Sequence, residues 1–159
     1  MNRERATGSL SRCVWIPVGS GLFVIALIVS ALVVPELRLL HFLQALIYVA
    51  VVILARRNSV WGLGAGVTTA VVWNSLNLFV THLAQAGAVT FWHFLTTGEV
   101  QRLDTMMVTV GTIGHFILIV ACLAALPGTT ENRKWWKFLG GGLAALAYLA
   151  LIVAIARPR

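Results

Sequence analysis

Residues 60–86 read VWGLGAGVTTAVVWNSLNLFVTHLAQA, and this stretch decides how the chain folds. It carries no Asp, Glu, Lys or Arg and is long enough to cross a bilayer as a helix. At about 100° per residue, four of its polar side chains fall within roughly 80° of one helical face: Asn74, Asn77, Thr81 and Gln85. Because lipid cannot satisfy amide groups, we expect this polar stripe to face protein, water or a ligand.

The composition of the whole chain agrees with a membrane protein. Of its 159 residues, 59% are hydrophobic and only 11% are charged, whereas soluble domains are nearer one quarter charged. A soluble fold of this length could not bury so much apolar surface. The net charge of +7 comes from short basic clusters between apolar runs, not from one basic face, which argues against nucleic-acid binding and favours contact with anionic lipid headgroups.

Apolar runs recur five times along the chain and predict an all-α fold, a single membrane domain built as a bundle of five transmembrane helices. The predicted spans are approximately 14–34, 37–55, 60–86, 106–126 and 136–156. The connection between the third and fourth spans contains Phe91, Trp92 and Phe94, which are too few to span and too apolar to remain in water. We therefore predict a short external helix there, lying on the headgroup layer.

The basic residues predict the orientation. With a cytoplasmic N-terminus, eight of the twelve fall on the cytoplasmic side: Arg3, Arg5, Arg12, Arg56, Arg57, Arg133, Lys134 and Lys137. This satisfies the positive-inside rule and predicts a multi-pass protein of the cell (inner) membrane. The basic tail with Arg157 and Arg159 falls outside in this arrangement, so either the rule is overridden there or the fifth segment does not fully cross.

When the spans are aligned by depth, their polar residues gather in the external half and near the midplane. The candidate binding residues are His41, Gln44, Asn74, Asn77, His82 and His115. One interpretation is hydrogen bonding between helices, and a second is a pocket for a quinone-like head group. A third is haem b, because His41 and His82 lie at similar depth on neighbouring antiparallel helices, with His115 as a substitute ligand. A pore lined by Asn74 and Asn77 in an oligomer is a further hypothesis.

Catalysis has little support in the sequence. Apart from Lys137 at the cytoplasmic end of the fifth, the predicted spans contain no carboxylate or lysine that could act as base, relay or counter-ion. The two cysteines form no CxxC pair and no Cys/His spacing typical of zinc or iron–sulfur sites.

Small residues in the third and fifth spans permit close approach of another helix. They are Gly62, Gly66, Gly140, Gly141 and Ala144. They predict either packing within the bundle or docking of a partner subunit or second copy. The sequence thus favours a non-enzymatic membrane subunit or scaffold with an outward-facing polar cluster. The alternative is a membrane binder of haem b or a quinone-like ligand in a redox chain.

Overall fold

The protein folds into six α-helices that follow one another through short connections. A computed structural model describes the backbone of residues 3–156 and the side chains of residues 14–156, and all regular elements in these ranges are helical. The helices are α1 (Arg3–Val33), α2 (Arg38–Arg56), α3 (Val60–Ser75), α4 (Leu83–Thr97), α5 (Leu103–Ala125) and α6 (Lys134–Ile155). Short 3₁₀ turns precede α2 and follow α5.

Five segments of this fold are long and apolar enough to cross a membrane. They are Val14–Val33, Pro35–Arg56, Val60–Val80, Leu103–Gly128 and Lys134–Ile155. The prediction of an all-helical chain with five such helices is confirmed. The last segment has 22 residues, or about 33 Å of helix, which is enough to match a hydrocarbon core of about 30 Å. The side chains of Arg3, Arg5 and Arg12 and the residues Arg157 and Arg159, which entered the predicted orientation, lie outside the described part.

The third predicted span is shorter than its sequence indicates. After Ser75 the helix widens into a π-helical turn over Leu76–Val80 and ends there. Two residues later His82, whose φ of 55° lies in the left-handed region, breaks the helical path. The chain then turns back as α4, whose buried Ala84 and Gly87 pack on α5. The prediction of one helix over 60–86 was therefore wrong beyond Val80. The predicted extra helix exists, but it begins at Leu83 instead of after Gly87.

Glycines set the distance between α1 and α5, which form the most extensive helix pair in the bundle. A Cβ added to Gly19 would lie 2.7 Å from the carbonyl oxygen of Gly114, and a Cβ added to Gly114 would lie 2.7 Å from that of Gly19. Such distances are too short for any side chain beyond hydrogen. The two backbones therefore touch at this crossing, and Phe23, one turn along α1, reaches across α5.

The small-residue faces of α3 and α6 pack against the protein itself. A Cβ on Gly62 would meet Leu54 of α2, one on Gly66 would meet Val51 and Cys122, and one on Gly141 would meet the backbone of Trp61. These glycines are buried inside the chain and so do not form a free docking face. Of the five residues predicted for docking, Ala144 is exposed and Gly140 is half-buried beneath the Trp61 ring.

The core is divided along the bundle axis. Near the α2–α3 and α5–α6 connections, the predicted cytoplasmic end, it consists of apolar side chains such as Val51, Val60 and Leu118, which are almost completely buried. Toward the other end, the predicted external end, the buried side chains include Gln44, Asn74 and, near the middle, His115. Buried polar side chains are thus more frequent toward the predicted external end, and Ser20 of α1 and Thr69 near the middle of α3 are buried as well.

Candidate functional site

Three polar side chains from three helices meet at the centre of the bundle. Tyr48 of α2 and His115 of α5 each lie close to the middle of their helices, and both are 0% exposed. Asn74 of α3 is 5% exposed. The Tyr48 hydroxyl lies 2.6 Å from Nε2 of His115, and Nδ1 of the same ring lies 2.9 Å from Oδ1 of Asn74. One imidazole therefore connects α2 to α3 through α5.

The roles of donor and acceptor follow from these partners. An amide oxygen can only accept, so Nδ1 of His115 carries the proton and donates it to Asn74. A neutral imidazole then has an acceptor at Nε2, and the Tyr48 hydroxyl donates to it. Both nitrogens of His115 are satisfied by protein groups without any charge in the cluster.

A fourth helix covers this arrangement through Phe23 of α1. Its ring stacks on His115 with centroids 3.9 Å apart and lies 4.6 Å from the Tyr48 ring. Phe23 can lie there because Gly111 presents no side chain, and a Cβ on Gly111 would come within 3.0 Å of the Phe23 ring. We call Phe23, Tyr48, Asn74 and His115 the His115 cluster. It joins four of the five long helices.

The residues singled out from the sequence have separate environments in the structure. Asn74 and His115 are in hydrogen-bond contact, and Gln44 is buried one turn from Tyr48 on α2. His41 is half-buried near the start of α2, while His82 is exposed at the break after α3. Asn77 is half-buried within the π-helical turn.

The predicted polar stripe on the third span was wrong as a continuous face. Of its four members only Asn74 is buried, while Thr81 and Gln85 are exposed. The Thr81 hydroxyl donates to the Leu76 carbonyl and accepts from the Leu83 amide, so it serves the helix break. The π-helical turn rotates everything after Ser75 relative to the regular 3.6-residue period that the prediction assumed.

The candidate binding residues predicted from the sequence included neither Tyr48 nor Phe23. His41, Gln44 and Tyr48 recur at a spacing of three and then four residues, so Tyr48 shares the polar face of α2 and is the deepest of the three. This spacing is the feature of the sequence from which a role of Tyr48 in the polar cluster could have been predicted. Nothing in the sequence around Phe23 distinguishes it from the other apolar residues of α1.

Several buried polar atoms have no hydrogen-bond partner in the described part of the chain. They are Oγ of Ser20, Nδ1 of His41, Oγ1 of Thr69, Nε1 of Trp73, Nδ2 of Asn74, Nε2 of His93 and Oγ1 of Thr109. Native proteins leave few such atoms, and each one marks a place where water or a ligand would be stabilised. Three of them, on His41, Trp73 and Asn74, belong to the parts of α2 and α3 toward the predicted external end.

Comparison with known proteins adds no assignment. Neither protein-family models, nor curated proteins, nor solved structures give a match to this chain. The site must therefore be interpreted from its own chemistry.

A metal ion or a haem needs protein ligands whose donor atoms are free to bind it. Within the described residues, no three or more His, Cys, Asp and Glu side chains come together as a metal-binding group. An axial haem ligand needs a free imidazole nitrogen, and both nitrogens of His115 are bonded. His115 therefore does not fit as the substitute ligand. The pair of His41 and His82 stays a prediction.

The opposite end of the bundle has a polar contact of its own. Glu131, in the connection between α5 and α6, pairs with Lys137 at 2.6 Å and accepts a hydrogen bond from the Val60 amide at 3.4 Å. Val60 opens α3, so the carboxylate satisfies one of the free N–H groups at that helix start. The hydrogen bond from Lys137 is the main cause that holds the pKa of Glu131 below its usual value.

We expect Glu131→Gln to lower the thermal stability slightly at pH 7, because it removes the ion pair with Lys137. Since the folded state lowers the pKa of this carboxyl, its contribution is present above the unfolded pKa of about 4.3 and is lost as the pH falls through the folded pKa. The difference in Tm between wild type and Glu131→Gln should therefore shrink as the pH falls through about 4.3 and disappear once the pH is below the lowered folded pKa. Glu99→Gln is the control, since the Glu99 side chain is 80% exposed and 3.9 Å from His93. An unchanged difference across this pH range would contradict the ion-pair contribution.

Proposed function

We propose that this protein is a non-enzymatic integral membrane protein of the cell (inner) membrane, acting as a subunit or scaffold, with its N-terminus in the cytoplasm. The single observation that carries the proposal is that both ring nitrogens of His115 are bonded by Tyr48 and Asn74 of other helices. An imidazole with no free nitrogen and no nearby charge is not available as a general base or nucleophile in this state. Its most direct role is to fix how the helices pack.

The surface of the bundle supports placement in a bilayer. Large apolar side chains are exposed along all five long helices, among them Ile28, Phe42, Val120 and Leu143. In water such a surface would cause association, whereas acyl chains cover it at no cost.

The short helix α4 supports a position at the external membrane surface. Its Ala84 and Gly87 pack on α5, while Val89, Trp92 and Leu95 are exposed on the side that faces away. A helix with one packed face and one apolar exposed face containing Trp is suited to the headgroup layer, where an indole is stabilised. We propose that α4 lies in the external interface, as the sequence predicts.

The test of the proposed function combines topology with the search for a partner. In intact cells, a membrane-impermeant thiol reagent should label Thr97→Cys at the end of α4 and should not label Asn132→Cys between α5 and α6. Crosslinking in native membranes at native abundance should recover a defined complex with a partner or a second copy. Labelling of Asn132→Cys but not Thr97→Cys would show the opposite orientation in the membrane. Recovery of monomer only would contradict a subunit or scaffold role.

The alternative function, binding haem b or a quinone-like ligand in a redox chain, is favoured by one observation. Nδ1 of His41 and Nε1 of Trp73, in the predicted external half, are buried and have no partner among residues 14–156. An absorption spectrum of the purified protein tests the haem branch, because a Soret band lost in His41→Ala or His82→Ala would support it. A colourless preparation after expression with haem supplied would contradict it.

A further inference from the structure

Three polar atoms without a partner among the described residues lie on the outer parts of α2 and α3, one of them on a member of the His115 cluster. They are Nδ1 of His41, Nε1 of Trp73 and Nδ2 of Asn74. Asn74 is 5% exposed, and its Oδ1 is already used by His115, so its amino group remains without an acceptor. Two neighbouring residues of α3 therefore each present a buried N–H donor that none of the described residues satisfies.

The register of α2 against α3 brings His41 to the same region. The two helices are antiparallel, with Gly62 of α3 packed against Leu54 of α2 and Gly66 packed against Val51. If the same register continues toward the predicted external end, Trp73 of α3 lies at the level of Gln44 of α2. His41 then lies about one helical turn closer to that end. Gln44 is 3% exposed, so the region between the helices is buried and polar at this level.

The chemistry of these atoms specifies the kind of molecule that would fit. An indole N–H and an amide NH₂ donate only, so they require an acceptor, and the imidazole of His41 can donate or accept according to its tautomer. No acidic residue lies within α2 or α3, and Arg38 at the outer end of α2 donates to the Ala31 carbonyl. A charged ligand would have no counter-ion here, whereas a neutral oxygen acceptor would satisfy the donors.

The outer end of α3 is also irregular at this position. The π-helical turn over Leu76–Val80 begins two residues after Asn74, and π-helical turns occur frequently at functional sites. Asn77 within this turn is half-buried and lies between Asn74 and the outer surface. The widened turn would give access from the external side.

We propose that a neutral molecule with an oxygen acceptor binds between α2 and α3, hydrogen-bonded by Trp73 and Asn74 and bordered by His41. Two kinds of molecule could supply this oxygen acceptor: a bound water molecule, or a quinone-like molecule through its carbonyl group. This site does not depend on the scaffold role, which concerns partners outside the bundle.

The indole proton of Trp73 reports directly on the site. In protein labelled with ¹⁵N-tryptophan, its signal is assigned as the one lost in Trp73→Phe, a change that leaves the His115 cluster intact. A nuclear Overhauser cross-peak from this proton to a slowly exchanging water would support the site with water as occupant. A saturable shift on titration with tetramethyl-1,4-benzoquinone, whose fully substituted ring does not add thiols, would support it with a carbonyl occupant.

Matched signals and variants serve as controls. The indoles of Trp135 and Trp136, at the other end of the bundle, should show no saturable shift with the benzoquinone. If the quinone binds, His41→Leu should weaken its affinity at least fivefold and His82→Leu should leave it unchanged. Equal affinity in wild type and His41→Leu would contradict the site. A Trp73 indole with neither a water cross-peak nor a saturable shift would overturn the proposal altogether.

Discussion

Replacing His115 by alanine is expected to lower the free energy of unfolding by about 3–5 kcal/mol, the range measured for truncating a buried aromatic ring. The ring is 0% exposed and stacks on Phe23, so its loss leaves a cavity at the meeting point of four helices. It also leaves the Tyr48 hydroxyl and Oδ1 of Asn74 without partners in the middle of the bundle. Unfolding in mixed micelles, followed by tryptophan fluorescence and circular dichroism, measures the change.

A graded pair of variants separates the cavity from the hydrogen bonds. Tyr48→Phe keeps the packed ring and removes only the donor to Nε2 of His115, so we expect a loss of about 1 kcal/mol. Hydrogen bonds between membrane helices average about 0.6 kcal/mol, which sets the lower end of this expectation. His82→Ala is the matched control, since His82 is exposed at the helix break. A loss in His115→Ala no greater than in His82→Ala would mean that the cluster does not hold the helices together.

The architecture could be predicted because it depends on length and apolar composition. Each of the five long helices coincides with a predominantly apolar segment, and Pro35 and Pro127 mark two of the boundaries. The end of the third helix could not be predicted in the same way. Residues 76–86 contain neither Gly nor Pro, and the left-handed conformation of His82 occurs where α4 turns to pack on α5, a tertiary contact that these residues do not signal.

The sequence predicted how deep in the membrane the site residues lie, but not which side of its helix each residue occupies. Counting residues from the helix ends places Asn74 in the outer half and His115 near the midplane, as the structure has them. The side of the helix on which a residue lies could be predicted only as far as α3 keeps its period of 3.6 residues. Asn74 was therefore correctly predicted to be buried, whereas Thr81 and Gln85, beyond the π-helical turn, are exposed. His41 and His82 match in depth by the same count, but His82 lies beyond the break, where helical geometry no longer applies.

Small residues illustrate a further limit of the sequence. A glycine permits close approach of a backbone, and the sequence alone leaves open whether that backbone belongs to the same chain or to a partner. In the structure, Gly62, Gly66 and Gly141 approach α2, α5 and α3 of the same molecule. A partner would therefore have to bind other surfaces, of which the outer side of α6 with Leu139 and Leu143 is one that remains exposed.

The crossing of α3 and α6 provides a prediction in which two adjacent glycines should behave differently. A Cβ on Gly141 would overlap the backbone carbonyl of Trp61, so α6 would have to move away from α3 along the whole interface. We expect Gly141→Ala to lower the free energy of unfolding by about 3 kcal/mol, at the upper end of the range for overpacked cores. Thermal unfolding in detergent and the far-UV circular dichroism spectrum of the folded state measure the loss and show whether the helices remain formed.

Gly140→Ala is the matched control for this prediction. Its Cβ would lie 2.7 Å from Cη2 of Trp61, the far end of a flexible side chain that is 45% exposed and can turn outward. Alanine also favours the helix by about 1 kcal/mol over glycine, so the net effect at position 140 should be close to zero. The same gain at position 141 cannot compensate for moving a backbone. Equal effects at the two positions would mean that helix propensity, and not the approach of α6 to Trp61, determines why glycine is needed there.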